Sequence, residues 1–341
     1  MRTTPPAVLT CATIPRAWTF ALVLAGPVGA QPVSRDPTTA QSVLHPAGTD
    51  AAAIANLFWI MTGAGALIWA AVIGTAIYAV LGRHKPQSER FADRFILAGG
   101  VIFPTVTLAL LLVVGLRLLP NWRATDLPDL RVHVVGEQFW WRIRYETPDG
   151  GLVETANELH LPVGAEVEFV LTATDVIHSF WIPVLGGKLD MIPGRTTVLR
   201  LRPTATGVYR GACAEYCGLS HALMAMVVVV VPPDRFAEWL EAAARPARTP
   251  PPAAYLQAGC PACHVVRAAD TPPEVAGVGP DLTHLAARSS LAADTLPLDH
   301  ATLSGWIANP ARYKPGARMP GFAHIDPRER EAVVTWLMEL Q

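Results

Sequence analysis

Two stretches without a charged residue, 54–81 and 95–116, constrain this chain more than any other feature of it. Each exceeds the roughly 20 apolar residues that cross the hydrocarbon core of a bilayer. Two buried core helices are the alternative, but runs this long favour membrane spans. The short connection carries Arg83, Lys85, Arg90 and Arg94 against Glu89 and Asp93. Basic connections stay on the cytoplasmic side. A hairpin of two transmembrane helices, about 54–81 and 95–119 within an anchor of 42–122, is therefore expected, lying in a bacterial inner membrane. Everything that follows is then on the outer side, the periplasm of a Gram-negative cell.

The first thirty residues read separately. Arg2 and Arg16 precede an apolar run at 17–28, and Val28-Gly29-Ala30 is a small-residue cleavage signal, so 1–30 is expected to be a signal peptide. An uncleaved helix would be short and interrupted by Gly26 and Pro27. Of five cysteines, Cys11 lies in this leader and four remain. On the outer side disulfides are the default for such cysteines, yet both pairs sit inside metal or cofactor motifs. The net charge of −1 offers nothing to nucleic acid, and none is expected as a partner.

Residues 129–240 hold short strand-like runs, among them RVHVV at 131, QFWWRIRY at 138, EVEFVLT at 166 and MVVVVV at 226. Gly and Pro clusters punctuate them, which predicts an all-β sandwich or barrel. PDRFAEWLEAAA, from Pro233, reads as a closing helix. A Pro-rich linker follows at 241–253, semi-rigid and extended. The last segment, 254–341, is long enough for a compact domain if a cofactor fills its core. It ends in a helix that Asp326 caps and Pro327 opens, with Val333, Val334, Leu337 and Met338 as its apolar stripe.

CAEYCGLSHALM, 213–224, packs Cys213, Cys217, His221 and Met224 into twelve residues, and His178 lies upstream in DVIHSFWIP. Structural zinc sites do not use Met, whereas thiolate, thioether and imidazole together favour copper. A mononuclear blue-copper centre needs one Cys, and here there are two. Two thiolates can bridge two coppers, each completed by one histidine, with Met224 and a backbone carbonyl as weak ligands. Sharing one electron over two bridged metals changes each bond little, which suits electron transfer. A plain disulfide with an incidental His and Met is the alternative.

CPACH, 260–264, is the attachment sequence of a c-type haem. Cys260 and Cys263 would form the thioethers and His264 the proximal ligand. Met319 in KPGARMPGF is the candidate sixth ligand, with Met338 as its rival. A carbonyl near Pro280 in GVGPDL could orient the imidazole. A thioredoxin-like redox pair is the alternative, but no βαβ pattern surrounds it.

At these residues the chain resembles subunit II of haem–copper cytochrome c oxidases, over roughly 42–240, and its end, 253–341, resembles a class I cytochrome c. Oxidases with that fusion are the caa type. The resemblance implies a multi-domain membrane protein: an α transmembrane hairpin, an all-β cupredoxin-like Greek-key sandwich and an all-α class I cytochrome c domain. It implies a binuclear CuA centre of two coppers on His178, Cys213, Cys217, His221 and Met224, with Glu215 offering its backbone carbonyl. The side chain at Glu215 would also reach a magnesium at the interface with subunit I. One covalent haem c completes the cofactors. The implied role is electron entry: external cytochrome c reduces haem c, electrons pass to CuA and on to subunit I, where oxygen becomes water and protons are translocated. Subunits I and III and the lipid bilayer are the implied partners. A CuA-bearing nitric-oxide reductase subunit and a copper-handling assembly protein are the competing readings.

Two departures stand out. The aromatic run that accepts electrons in the family begins with Phe139 instead of Trp, followed by Trp140 and Trp141, and Ala156 and Thr174 replace common docking carboxylates while Asp175 remains. A tethered donor needs less steering, because the linker supplies effective concentration. Leu97 stands where many relatives carry a Glu at the mouth of a proton channel. His133, His160, His284, His300 and His324 are expected to be surface or satisfied core residues. Trp306 is expected in the haem pocket, and Arg312 and Lys314 either at haem propionates or in solvent.

Overall fold

The computed structural model describes residues 41–82, 88–118, 127–269 and 277–341. The expected leader with Cys11, and Arg83 and Lys85 of the connection, lie outside them. The first helix, α1 (Thr49–Leu81), begins earlier than the charge-free run because its first turns are tied to the outer domain. Ala51 and Ala55 are buried there, and the Ala51 N–H donates to the Leu185 carbonyl at 3.2 Å. The second span also starts early, with α2 (Glu89–Leu97), whose charged face lies before the apolar run. A π turn (Ala98–Ile102) joins it to α3 (Phe103–Arg117). Pro104 has no N–H to return to the carbonyl four residues back, so the helix widens there. Both spans are long and apolar enough to cross a membrane, and their apolar windows are unburied by the rest of the chain.

The sandwich has two five-stranded sheets. One runs in the order β3 (Leu152–Ala156), β2 (Trp140–Glu146), β1 (Leu130–Glu137), β5 (Val167–Ala173) and β8 (Thr197–Leu201). The other runs β4 (Glu158–Pro162), β10 (Ala225–Val231), β9 (Gly207–Cys213), β6 (His178–Trp181) and β7 (Leu189–Met191). β1 pairs with β5, and β4 with β10, in parallel; the other pairings are antiparallel. Alternation along β1 explains the packing. Val132 and Val134 point inward and are fully buried, while Arg131 pairs with Glu168 at 2.8 Å and His133 with Glu146 at 2.7 Å on the outer face. Trp141, Tyr145, Phe169 and Phe180 fill the space between the sheets. Helix α4 (Pro233–Ala244) closes it, placing Phe236 and Trp239 against Tyr145.

The C-terminal region has a separate, smaller core of Tyr255, Leu303, Val334, Trp336 and their neighbours. Its helices are α5 (Ala253–Gln257), α6 (His300–Ala308), α7 (Pro310–Tyr313) and α8 (Pro327–Leu337). Asp299 and Asp326 cap α6 and α8, each accepting a backbone N–H at 2.8 Å. The region is not wholly helical. A two-strand hairpin, β11 (Ser290–Leu291) with β12 (Leu296–Pro297), interrupts it, and no turn glycine announces it in the sequence.

Candidate metal centre and the cytochrome segment beside it

Strand β9 ends at Cys213 and β10 resumes at Ala225, so the copper-type motif is the loop between two paired strands. The Cys213 N–H donates to the Met224 carbonyl at 2.9 Å and closes it. His178 opens β6, the neighbouring strand, across which Phe180 pairs with Cys213. Two glycines make room. A Cβ on Gly136 would lie 2.9 Å from the His178 ring, and Gly218 takes φ +126°, with Gln138 Nε2 3.0 Å from where its Cβ would be.

The donors converge. Cys213 Sγ lies 3.7 Å from His178 Nδ1, and Cys217 Sγ 3.6 Å from His221 Nδ1. The two sulfurs are 3.9 Å apart, far beyond the roughly 2.05 Å of a disulfide. Met224 Sδ is 3.9 Å from Cys217 Sγ, and the Glu215 carbonyl 3.2 Å from Cys213 Sγ. His178, Cys213 and Cys217 are buried and offer ligand atoms within 4.8 Å of one another. Soft sulfur and imidazole nitrogen, shielded from water, fit copper.

Electrostatics prepare the thiols for a metal. The Cys213 thiol is pulled well below its ordinary value, first by the neighbouring Cys217 sulfur and then by His178. Cys217 is pushed up correspondingly, because a second thiolate beside the first is disfavoured. Burial pulls the His178 ring down, but Cys213 and Asp175 outweigh it and the net direction is up. Asp175, read in the sequence only as a remaining docking carboxylate, is the anchor of the far side. Its Oδ1 is 2.9 Å from His178 Nε2 and accepts the Val176 N–H at 2.8 Å, while Oδ2 accepts the Gln138 N–H at 2.7 Å. Its place three residues before His178 was the only sequence sign of this role.

The aromatic run divides. Trp141 is wholly buried, 5.9 Å from Phe180 and 6.3 Å from His178 between ring centroids. Trp140 is partly exposed beneath the Arg142 guanidinium at 4.7 Å. Phe139 touches the copper-type loop: the Gly218 Cβ position lies 3.2 Å from its ring. The Cβ position of Gly316, in the C-terminal region, is also 3.2 Å from that ring.

In the C-terminal region a short 3-10 turn (Cys260–Ala262), which Cys263 closes, holds the CPACH motif. His264 Nδ1 is 2.8 Å from the Pro280 carbonyl, which leaves Nε2 for a metal. Gly277 and Gly279 permit this: Cβ atoms there would lie 2.2 Å from the Cys263 carbonyl oxygen and 2.8 Å from His264 Cε1. Burial pulls the His264 ring down, toward the neutral form a ligand needs. Met319, Trp306 and Phe322 pack partly buried against the same apolar cluster as Cys260. Arg142 reaches this region from the sandwich, donating to the Gly277 carbonyl at 3.0 Å. Arg312 is exposed, near the Tyr313 ring at 5.9 Å. Lys314 meets neither of its expected surroundings: it is 3 % exposed and donates to two backbone carbonyls.

The molecule is thus a membrane-anchored electron-carrier type: a two-sheet sandwich with a buried sulfur–imidazole centre, joined to a cytochrome-like helical region. Residues 146–231 match the family model described as the periplasmic domain of cytochrome c oxidase subunit II, and residues 252–341 match that of cytochrome c. Cytochrome c oxidase subunit 2 of Alkalihalophilus pseudofirmus is 33 % identical over 62 % of this chain, and that of Branchiostoma floridae 32 % over 45 %. The second match covers 77 % of its relative's length. The matches to A. pseudofirmus and to Bacillus sp. strain PS3 span 61 % and 65 % of those proteins. A solved periplasmic domain of subunit II from Bradyrhizobium japonicum is 34 % identical with a TM-score of 0.33, covering 35 % of this chain and 95 % of that one. The chain belongs to the cytochrome c oxidase subunit II family.

Proposed function

We propose that this chain is the electron-entry subunit of a caa-type cytochrome c oxidase. It would take electrons from an external cytochrome c on the periplasmic side of a bacterial inner membrane and deliver them to subunit I. There oxygen is reduced to water with proton translocation, in a complex that includes subunit III. Bound at the two sites, a binuclear CuA and a covalent haem c supply reversible one-electron chemistry. His178, Cys213, Cys217, His221 and Met224, with the Glu215 carbonyl, would hold the coppers. Cys260 and Cys263 would carry the haem, with His264 and Met319 as its axial ligands. The Glu215 carboxylate would face a magnesium at the subunit I boundary. Asp175 and the Pro280 carbonyl orient the two ligand imidazoles, and the sandwich keeps water from the thiols. Phe139 would carry electrons between the sites, with Trp140 and the buried Trp141 beside it in the run.

The observation that carries this reading is Phe139, packed at once on the copper-type loop at Gly218 and on Gly316, three residues before Met319. The test is the copper and iron content of the purified full chain, with its copper EPR spectrum. Two coppers per iron and one unpaired electron spread over both coppers is the expected result. One copper, zinc, or a Cys213–Cys217 disulfide overturns it. A copper-handling protein would also surrender its metal to a chelator within the assay, and a bridged buried pair would not.

A further inference from the structure

We propose that the cytochrome region is latched onto the copper loop and does not swing on its linker, the latch being Lys314 together with the turn Ala292–Asp294. For the roles of the two sites this rests on the function proposed above; the latch itself needs no metal.

Lys314 lies in the seam between sandwich and helical region. Its Nζ donates to the Leu223 carbonyl at 2.9 Å and to the Ala292 carbonyl at 2.8 Å. Among the described residues it has no carboxylate partner, and burial brings its pKa down to about 7. A buried amine persists where acceptors replace its water. Here one acceptor belongs to the copper loop, a residue before Met224, and the other to the β11–β12 hairpin. Thr295 Oγ1 donates within the hairpin to the Ala292 carbonyl at 2.7 Å and lies 3.1 Å from the same Leu223 carbonyl.

The hairpin turn is a second, independent sign. Ala292, Ala293 and Asp294 take φ of 56°, 59° and 57° in succession. Left-handed backbone is costly for residues with a Cβ and survives only where the surroundings over-determine it. The surroundings in this case are the sandwich. The Ala293 carbonyl accepts the outward Ala225 N–H at 3.3 Å, and Asp294 Oδ2 pairs with Arg210 Nε at 2.5 Å. Further along the seam, Glu158 Oε2 accepts both the N–H and the hydroxyl of Ser289, at 2.9 and 2.6 Å. Weak transient docking relies on an exposed charged rim. This seam instead has two buried polar groups at its centre, Lys314 and Glu158, each costly to leave unpaired, with the partly exposed Arg210–Asp294 pair beside them.

The latch answers why the docking carboxylates are thinned. The face over Phe139 is already occupied by Pro315 and Gly316, whose neighbour Ser220 donates to the Pro315 carbonyl at 2.6 Å. An outside donor cannot reach it and must deliver its electron to the cytochrome region.

Two measurements on the full chain with its cofactors test this. In the first, amide exchange is followed at Ala225 and Ser289, whose N–H groups cross the seam. Both should be protected as sheet amides are. Asp294→Arg, facing Arg210, should speed exchange at Ala225 about tenfold, and the charge-swapped pair with Arg210→Asp should restore it. Exchange in the unmodified chain as fast as in the exposed linker around Arg248 overturns the latch, as does failure of the swap to restore protection. In the second, the haem is reduced by a flash and the copper followed. A latched pair gives a rate unchanged by added sucrose; a rate that falls in proportion to viscosity means a swinging domain and overturns the proposal. Absence of copper with the amides protected would sink the functional reading and leave the latch standing.

Discussion

The sandwich and the C-terminal region carry the same kinds of side chain, a cysteine pair, histidine and methionine, on opposite plans. In the sandwich the scaffold comes first. Two sheets enclose a continuous apolar core that includes Trp141, Phe169 and Phe180, and the copper loop is one strand connection at its end. In the C-terminal region the core is a handful of side chains around Trp336 and Val334. Cys260, His264 and Met319 stand in loops and short turns there. A metal added to the sandwich finds its ligands placed; a haem added to the C-terminal region supplies much of the missing core. The difference teaches which site tolerates loss of its cofactor.

The largest effect expected is therefore on the weaker scaffold. Replacing Cys260 and Cys263 together by Ser should abolish cooperative unfolding of the C-terminal region while the sandwich melts as before, as calorimetry of the full chain would show. A single unfolding transition lost from both would break the comparison. Next, Cys213→Ser or Cys217→Ser should lower copper affinity by at least about 100-fold, a loss at the upper end of what even supporting residues cause. Putting a hydroxyl in place of a buried thiol should cost the metal-free sandwich about 1–3 kcal/mol and leave it folded.

Glycine replacements sharpen the contrast. Gly136→Ala pushes a methyl against the His178 ring and Gly279→Ala against His264, each at under 3.0 Å. Each should cost about 1–3 kcal/mol of overpacking strain. The first should appear in the copper spectrum with the fold intact, and the second in the denaturation midpoint of the C-terminal region itself. The seam between the two has its own pH dependence. Burial raises the Glu158 pKa, but the His160 and Ser289 hydrogen bonds outweigh it and the net direction is down. A carboxylate lowered on folding stabilises fully above its unfolded value, about 4.3, and loses that contribution as pH falls through the folded value. Melting of the C-terminal region should thus lose about 1–2 kcal/mol on acidification below pH 4, and Glu158→Gln should flatten that fall. Arg288, partly buried nearby, donates to the Asp281 carbonyl, and desolvation pulls its guanidinium below the usual arginine range. The smallest effect is expected at Arg318, which meets Asp175 at 3.1 Å but is 65 % exposed. Arg318→Ala should change stability by at most about 0.5 kcal/mol in a urea titration.

Much of the molecule is legible in the sequence. The membrane spans follow from the absence of charge, because a bilayer core excludes it. Cys213, Cys217, His221 and Met224 lie within one loop, so their chemistry is visible at close spacing; the same holds for Cys260, Cys263 and His264. His178 had only its DVIHSFWIP context and the need for a second histidine to mark it, since 35 residues separate it from Cys213 and no local pattern links them. The hairpin at Ser290–Pro297 had no turn signal, because its left-handed residues are alanines and an aspartate held from outside.

What the sequence alone determined, then, is where the chain meets lipid, which residues can bind soft metal or haem, and that two extramembrane units follow one another. What only the tertiary structure decided is how those units face. Asp175 behind His178, Lys314 between Leu223 and Ala292, and Phe139 between Gly218 and Gly316 are pairings across the fold. The partners of these groups are largely backbone carbonyls and glycine surfaces, which carry no side-chain signature. A lysine destined for a buried seam reads in sequence like any solvated lysine, because what distinguishes it is the removal of water by a distant segment.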